Sequence, residues 1–152
     1  MHIATDDLSG PEIAEFLHEH LQQMQAQSPP ESTHALDLDA LRGPGITFWS
    51  VHDGTALVGC GALKRLDATH AELKSMRTRP ARQRSGSGSL LLAHILTEAT
   101  AMGFTRLSLE TGSDDAFLPA RALYAKFGFT ECPPFGHYRP DPNSTFMTRV
   151  LV

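Results

Sequence analysis

AELKSMRT (71–78), RPARQRS (79–85) and GSGSLLLAHIL (86–96) run consecutively through the middle of the chain, and this stretch decides the fold. Polar and apolar residues alternate over 71–78, which predicts a strand, and apolar residues return at helical spacing after the glycines. The first amides of a helix lack partners within it, and the helix dipole favours negative charge there. A strand, a glycine-rich turn and a helix start therefore predict an anion-binding site.

The same stretch is basic although the chain as a whole is acidic, with a formal net charge of -4. No aspartate or glutamate lies between Glu72 and Glu98. The cations in that interval are Lys74, Arg77, Arg79, Arg82 and Arg84. A solvated basic loop would account for the charge but not for glycines at the start of a helix. We therefore favour a ligand that carries phosphate.

Two familiar phosphate-binding loops fit this stretch less well. A P-loop needs a lysine directly after its glycines, and none is present. A dinucleotide loop, GxGxxG, fails at Leu91, but Glu110 lies about 20 residues on, where an acid would bind ribose. That interpretation stays open. One argument against it is that the strand carries Glu72, Lys74 and Arg77, whereas a central strand of a doubly wound sheet is nearly all apolar. A second argument is that too little chain follows the loop for a second nucleotide-binding half.

A third pattern covers both the loop and a later segment. QRSGSG (83–88) matches (Q/R)-x-x-G-x-(G/A), and ALYAKFGF (122–129) contains a Leu-Tyr-x-x-x-Gly-Phe ending. In this order the two patterns resemble the signatures of the Gcn5-related N-acetyltransferase (GNAT) superfamily. More narrowly, the chain is similar over nearly its full length to the small bacterial YsnE-like acetyltransferases. That similarity is carried by SPPES (28–32), ELKSMR (72–77), LSLETG (107–112) and DPNS (141–144).

The resemblance implies an α/β (α+β) fold of the GNAT type. Such a fold has a mixed, mostly antiparallel sheet of about six or seven strands, splayed in the middle and flanked by about four helices. The implied element order is β-α-(α)-β-β-β-α-β-α-β-β, with coenzyme A entering between the central strand and the next one. A length of 152 residues suits one domain, so we predict a single N-acetyltransferase domain over residues 1–152.

Local patterns agree with that order. Ser9 and Glu12 form a potential capping box with Pro11 in the first helical turn, and Asp53–Gly54 suits a hairpin turn. Gly59 and Gly61 within a strand indicate a bulge or a close backbone approach. The predicted strands are His2–Thr5, Ile46–His52, Thr55–Leu63, Ala71–Thr78, Thr105–Glu110, Phe129–Cys132 and Phe146–Leu151. The predicted helices follow Ser9, span about Asp37–Leu41 and Gly88–Met102, and begin at Leu118.

Composition excludes several classes of protein. Hydrophobic residues make up 41% of the chain, yet no apolar run approaches the roughly 20 residues of a membrane span. The acidic charge argues against a nucleic-acid partner, and Asp6 and Asp7 replace the basic start of a signal peptide. Cys60 and Cys132 have no CxxC spacing. We predict a cytoplasmic protein with reduced thiols and no metal, and the resemblance adds a possible homodimer.

The resemblance implies acetyl-CoA as the cosubstrate. A main-chain amide near Met76 or Arg77 would bond the thioester oxygen, and the backbone through Thr78 would pair with the pantetheine arm. The amides of 84–89 would hold the diphosphate. Phe117 stands where many members have an asparagine that contacts pantetheine. The implied cofactor-binding residues are Met76, Arg77, Thr78, Gln83, Arg84, Ser85, Gly86, Ser87, Gly88, Ser89, Phe117 and Tyr124.

Two residues are candidates for proton transfer. Glu72 matches a position at which several members carry a glutamate base, and an amine of pKa about 10 needs one near neutral pH. Its alternative role is a structural carboxylate paired with Lys74 or facing solvent. Tyr124 matches the family's acid for the leaving thiolate, and its alternative is core packing. The weaker candidates for the base are His34, His70 and Glu110.

The acceptor is the least defined part of the prediction. Predicted substrate-binding residues are Ser32, His34, Glu72 and His137; a pocket for a cationic amine could also include Glu31, Tyr138 and Asp141. The same residues would suit a peptide N-terminus or a solvated loop. We predict an acetyl-CoA-dependent N-acetyltransferase that acts on the primary amine of a small molecule or amino-acid-like acceptor. The alternatives are a non-catalytic acyl-CoA-binding module and, less favoured, a nicotinamide-binding enzyme.

Overall fold

The computed structural model describes residues 1–27, 29, 38–79 and 85–151. Its strands are β1 (His2–Thr5), β2 (Ile46–Asp53), β3 (Ala56–Arg65), β4 (His70–Thr78), β5 (Arg106–Gly112), β6 (Thr130–Glu131) and β7 (Ser144–Val150). Its helices are α1 (Pro11–Gln27), α2 (Leu38–Leu41), α3 (Ser87–Ala101) and α4 (Leu118–Lys126). A short 3₁₀ turn over Asp115–Phe117 leads into α4.

The strands of the described residues form one 7-stranded sheet in the order β1-β2-β3-β4-β5-β7-β6. Only the central pair, β4 and β5, is parallel; the other described pairs are antiparallel. The predicted fold class is thereby confirmed: the sheet is mixed and mostly antiparallel, and four helices accompany it in the predicted order.

The sheet has a hydrophobic cluster on each face because successive strand residues point to opposite sides. On β2, Phe48 packs in the cluster with Phe16 and Leu17 of α1, whereas its neighbour Trp49 packs in the cluster with Ile95 of α3. Helices α1 and α2 therefore cover one face, and α3 and α4 cover the other. The paired parts of the central strands, 71–73 of β4 and 107–109 of β5, are consequently buried.

Most predicted element boundaries hold within one or two residues, and two local details differ. The hairpin forms, but its loop is Gly54–Thr55, since Asp53 pairs with Ala56 at the end of β2. The capping box at the start of α1 does not form. The Ser9 hydroxyl donates to Asp7 at 2.6 Å, and the Glu12 carboxylate accepts from the Leu57 amide at 3.1 Å. Glu12 thus joins α1 to β3.

A bulge interrupts β4 where β3 carries its predicted glycines. Cys60 pairs with Arg77 and Ala62 with Lys74, so both Ser75 and Met76 face the single residue Gly61. Ser75 adopts a left-handed backbone conformation, with φ of 57°. A Cβ atom on Gly61 would lie 2.6 Å from the Met76 sulfur, so a larger residue there would require the Met76 side chain to move. The predicted close approach is therefore present, and the bulge bends β4 at this point.

The two central strands separate just before that bulge. Pairing of β4 with β5 runs from His70 and Arg106 to Leu73 and Leu109. Beyond these positions β4 continues to Thr78 next to β3, and β5 continues to Gly112 next to β7. Each strand keeps its outer partner and loses its inner one. The sheet is therefore split in the middle, as predicted.

Candidate active site

A cavity of about 110 Å³ occupies the split between β4 and β5. The predicted site residues Glu72, Met76, Phe117 and Tyr124 all line it, although they come from widely separated parts of the chain. The bulge residue Ser75 lines it as well. The structure thus brings together both proposed catalytic residues and two of the predicted cofactor residues.

The bulge determines how the backbone of β4 faces the cavity. The Ser75 carbonyl accepts a hydrogen bond from the Cys60 thiol at 3.2 Å, on the side of β3. Burial keeps that thiol protonated by raising the pKa of Cys60. The Ser75 hydroxyl is buried and bonds none of the described residues. A left-handed serine and a buried unpaired hydroxyl are costly features, and such features concentrate at functional sites.

Tyr124 reaches the cavity from α4. It is 7% exposed, and its ring packs edge-on against Phe129 with 5.9 Å between the centroids. Its hydroxyl has no hydrogen bond to a described residue. Burial, and then the charge of Glu110, raises the pKa of Tyr124 above its ordinary value. The phenol is therefore protonated near neutral pH, and it can donate a proton but is a poor base.

Glu72 is held in a small buried network. It is 4% exposed, and its Oε2 atom accepts hydrogen bonds from Lys74 Nζ at 3.1 Å and from the Tyr138 hydroxyl at 2.5 Å. Lys74 also donates to the Tyr138 hydroxyl at 3.0 Å. Burial and the negative charge of Glu72 raise the pKa of Tyr138. The predicted alternative role of Glu72, pairing with Lys74, is therefore present in the structure, beside the cavity in which a base would act.

A second cavity, of about 570 Å³, lies on the other side of this network. The predicted residue His137 lines it together with Tyr138 and Asp141, so the three belong to one surface. Glu72 and Lys74 line both cavities. The carboxylate of Glu72 therefore lies at the boundary between a cleft within the sheet and a larger cavity under the loop before β7.

Two of the weaker candidates for the base, His70 and Glu110, have side-chain partners in the structure. His70 Nε2 lies 2.7 Å from the Ser108 hydroxyl, which is bonded in turn to Thr148 at 2.9 Å. Burial lowers the pKa of His70. Glu110 lines the first cavity and accepts a hydrogen bond from the Ser144 hydroxyl at 2.7 Å.

The turn predicted to hold phosphate precedes α3. Gly86 caps the helix in a left-handed conformation, with φ of 89°, and no side chain caps that end. The hydroxyls of Ser85 and Ser87 lie 2.6 Å apart. A Cβ atom on Gly88 would lie 3.5 Å from the Thr78 hydroxyl, so the helix start is adjacent to the end of β4. The amides of Ser87, Gly88 and Ser89 occupy the first turn, where helix amides lack partners within the helix.

The side chain of Arg77 points away from the split. Its guanidinium donates to Gln23 at 2.6 Å and lies over the ring of Phe16 at 5.2 Å, both on α1. Any contact of Arg77 with a cofactor is thus restricted to its main chain, which is what the prediction states. Ser32, His34, Gln83, Arg84 and Glu31 lie outside the described residues.

His20 of α1 is not among the site residues that the sequence predicts. In the structure it lines the first cavity with Met24. Burial, and then the positive charge of Arg77, lowers the pKa of His20 to about 4. No local pattern could reveal this placement, because it depends on how α1 crosses the split sheet.

In the part of the chain that the structure describes, no helix combines the length and apolar character needed to cross a membrane. The histidine, cysteine, aspartate and glutamate side chains of the same residues form no group of three or more that could hold a metal ion. The cytoplasmic location, the absence of a metal and the homodimer stay predictions.

A split mixed sheet, a bulged central strand and an uncapped helix start beside it define an acyltransferase of the GNAT type. The chain belongs to the acetyltransferase (GNAT) family, whose model matches residues 13–129. Members of that family take an acetyl group from acetyl-CoA.

Relatives of known sequence agree with this assignment. The chain is 55% identical to the protein named "Uncharacterized N-acetyltransferase YsnE" of Bacillus subtilis, over 99% of this chain and 100% of that protein. It is 41% identical to the protein named "IAA acetyltransferase" of Azospirillum brasilense, over 81% of this chain and 80% of that protein. The predicted resemblance to the YsnE-like acetyltransferases is confirmed.

A solved structure agrees at the level of the fold. The crystal structure of a candidate acyl-CoA N-acyltransferase from Klebsiella pneumoniae superposes with a TM-score of 0.79 at 25% sequence identity. The match covers 99% of this chain and 97% of that one.

The low pKa of His20 predicts a pH dependence of stability. The pKa of His20 is about 6.5 in the unfolded chain and about 4 in the folded one. Between these pH values the unfolded chain binds a proton at His20 that the folded chain does not, so the free energy of unfolding decreases as the pH falls. At about pH 5 the loss attributable to His20 should be about 1–2 kcal/mol. In urea unfolding at about pH 7 and 5, His20→Gln should therefore lose less stability than the parent.

His18→Gln, which removes an exposed histidine from the same helix, is the matched control. Equal acid sensitivity of the parent and His20→Gln would contradict a depressed pKa at this residue.

Proposed function

We propose that this protein transfers an acetyl group directly from acetyl-CoA to the primary amine of a small molecule or an amino-acid-like acceptor. The observation that carries the proposal is the cavity in the split sheet, where Tyr124, Glu72 and the bulged backbone at Ser75–Met76 meet. Membership of the acetyltransferase family supports acetyl transfer itself. The acceptor and the residue roles are our inference from the site.

The helix start and the free edge of β4 suit the two ends of coenzyme A. Main-chain amides at 87–89 offer donors to a diphosphate, and the helix dipole favours its charge. From Lys74 onward, β4 no longer pairs with β5, so its main chain can accept the pantetheine arm as an added strand. The close approach of Gly88 to Thr78 makes the two surfaces continuous.

Acetyl transfer needs a polarised thioester carbonyl, a deprotonated amine and a proton for the leaving thiolate. The Met76 main-chain amide, beside the bulge, is our candidate donor to the carbonyl oxygen, a contact of the oxyanion-hole kind. Tyr124 is our candidate acid, because its buried phenol stays protonated and bonds no described residue. The Phe117 ring closes the end of the cavity by packing against Gly112, where a Cβ atom would lie 2.0 Å from the ring.

Glu72 is our candidate base for the ammonium group. It borders both cavities, so an amine that enters from the second cavity meets this carboxylate before it reaches the first. Lys74 and Tyr138 both bond its Oε2 atom, which orients the carboxylate. A proton could pass to it directly or through one water molecule.

The direct test is release of free thiol from acetyl-CoA in the presence of amines, amino acids and peptides. IAA belongs in the panel, because one relative is named an IAA acetyltransferase. Acceptor-dependent release with formation of an N-acetyl product is expected. Tight binding of acetyl-CoA without transfer to any acceptor would favour a non-catalytic acyl-CoA-binding module. Binding of NAD but not of coenzyme A would favour the dinucleotide interpretation.

The proposed diphosphate site at the start of α3 can be tested with a substitution that should favour folding but weaken the binding of coenzyme A. Ser89→Asp places a negative charge in the first turn of α3, which should leave stability unchanged or raise it by about 0.5 kcal/mol through the helix dipole. The same charge should weaken coenzyme A binding about 10-fold or more, since it repels the diphosphate. Calorimetric titration and urea unfolding measure the two effects. Ser89→Asn is the uncharged control, and unaltered affinity of Ser89→Asp would remove the diphosphate from this turn.

Removal of the Tyr124 hydroxyl tests its role as the acid. Tyr124→Phe keeps the ring that packs on Phe129, so stability and acetyl-CoA affinity should change little. Loss of a general acid should lower kcat about 100-fold. Steady-state kinetics measures the change in kcat, and calorimetry measures the affinity for acetyl-CoA. A variant with the parental kcat would assign Tyr124 to packing alone.

Glu72 requires a test that separates a base from a structural partner. Glu72→Gln should lower kcat/KM for the amine about 100-fold and, by leaving Lys74 buried without its partner, lower the stability by about 3 kcal/mol. Adding Lys74→Met removes the unpaired cation and should restore stability but not the rate. If the double variant recovers both, Glu72 acts only as a structural carboxylate.

A further inference from the structure

The second cavity is large enough for a small organic molecule and has a defined boundary. Its walls come from the end of β3, from the first half of β4 and from the loop 135–141 before β7. It meets the first cavity at Glu72 and Lys74. A molecule bound in it would therefore have one end beside the proposed base.

The unpaired charge in this cavity is positive. Lys64 and Arg139 both line it, and neither side chain forms a hydrogen bond or ion pair with a described residue. Lys64 lies directly opposite Glu72 in the β3–β4 pairing, so its side chain is on the same face of the sheet as the proposed base. Lys64 is half-buried, and Arg139 is exposed.

The acidic residues of the cavity are already engaged. Lys74 lies 3.1 Å from the Glu72 carboxylate, and Tyr138 donates to the same oxygen. Asp141 accepts a hydrogen bond from the Asn143 amide at 2.8 Å and so stabilises the turn into β7. The described residues that line the cavity include three cations, Lys64, Lys74 and Arg139, against two carboxylates, so the lining has an excess of positive charge that disfavours a purely cationic occupant.

The rest of the lining is apolar and aromatic. The rings of Phe135 and Tyr138 meet edge-on with 5.2 Å between centroids, and Leu66 and Pro140 complete this wall. Such a surface suits the carbon skeleton of a ligand, while a few charged groups orient it. The cavity therefore combines an apolar wall with two cations and a carboxylate, and one of the cations, Lys64, lies beside Glu72 in the strand pairing.

We propose that the acceptor is a zwitterion, an amine that also carries a carboxylate, and that Lys64 and Arg139 bind this carboxylate while the amine points to Glu72. The proposal rests on the acetyl transfer proposed above and adds the substrate class. It replaces the expectation of a simple cationic amine with an amino acid or a related ω-amino acid that has an apolar body. Charge-assisted hydrogen bonds to the carboxylate provide the selectivity.

The test compares acceptors that differ only in this charge. L-phenylalanine and L-methionine are each assayed against their carboxamides with saturating acetyl-CoA, for the parent, Lys64→Gln, Arg139→Gln and the control Lys126→Gln, an exposed lysine outside the cavity. We expect kcat/KM for an acid to exceed that for its amide about 10-fold. Each cavity variant should reduce this ratio towards one by raising KM for the acid, without altering acetyl-CoA affinity. Lys126→Gln should keep the parental ratio.

A binding experiment makes the result independent of turnover. Each acid and its amide are titrated calorimetrically into the protein saturated with coenzyme A. If the acid binds more tightly than its amide, and Lys64→Gln and Arg139→Gln both lose this preference, the inference is supported. This holds even if no acetyl group is transferred, since that result would contradict only the proposed reaction. Equal or better turnover and binding of the amide overturns the inference and leaves acetyl transfer intact. Absence of binding by both the acid and its amide also overturns it.

Discussion

The separation of β4 from β5 after Leu73 and Leu109 is the constraint on which the site depends. Each strand stays paired on its outer side, so the split exposes main-chain groups at the centre of the sheet without unfolding it. Helices cover both faces, and these groups therefore lie in a sheltered cleft. Gly61 lies opposite the bulge in β4, and a Cβ atom at this position would displace the Met76 side chain.

The Glu72 network connects this cleft to the second cavity. One carboxylate oxygen receives both Lys74 and Tyr138, and the three groups come from β4 and from a loop more than 60 residues further along the chain. The network can be read as structural or as a support for a base, and the two roles are compatible, since a bonded carboxylate is also an oriented one. Its position accounts for the proposed path of an amine from the larger cavity to the split.

Local patterns predicted much of the fold and part of the site. The alternation in 71–78, the glycines before α3 and Pro119 in the first turn of α4 each specify a short segment, and each segment forms as expected. Predictions failed where a side chain found a distant partner. Glu12 bonds Leu57 on β3 instead of closing a capping box, and the alternative partner is invisible in the sequence around it.

Local sequence patterns were enough to predict the order of the elements, the family and the position of the glycine-rich turn, because strand alternation, helix periodicity and turn glycines are properties of neighbouring residues. Which residues share a cavity depends on how the elements pack together. His20, Ser75 and Lys64 gain their surroundings from the crossing of α1, the bulge and the β3–β4 register. Such contacts join residues far apart in the chain, and no local pattern encodes them.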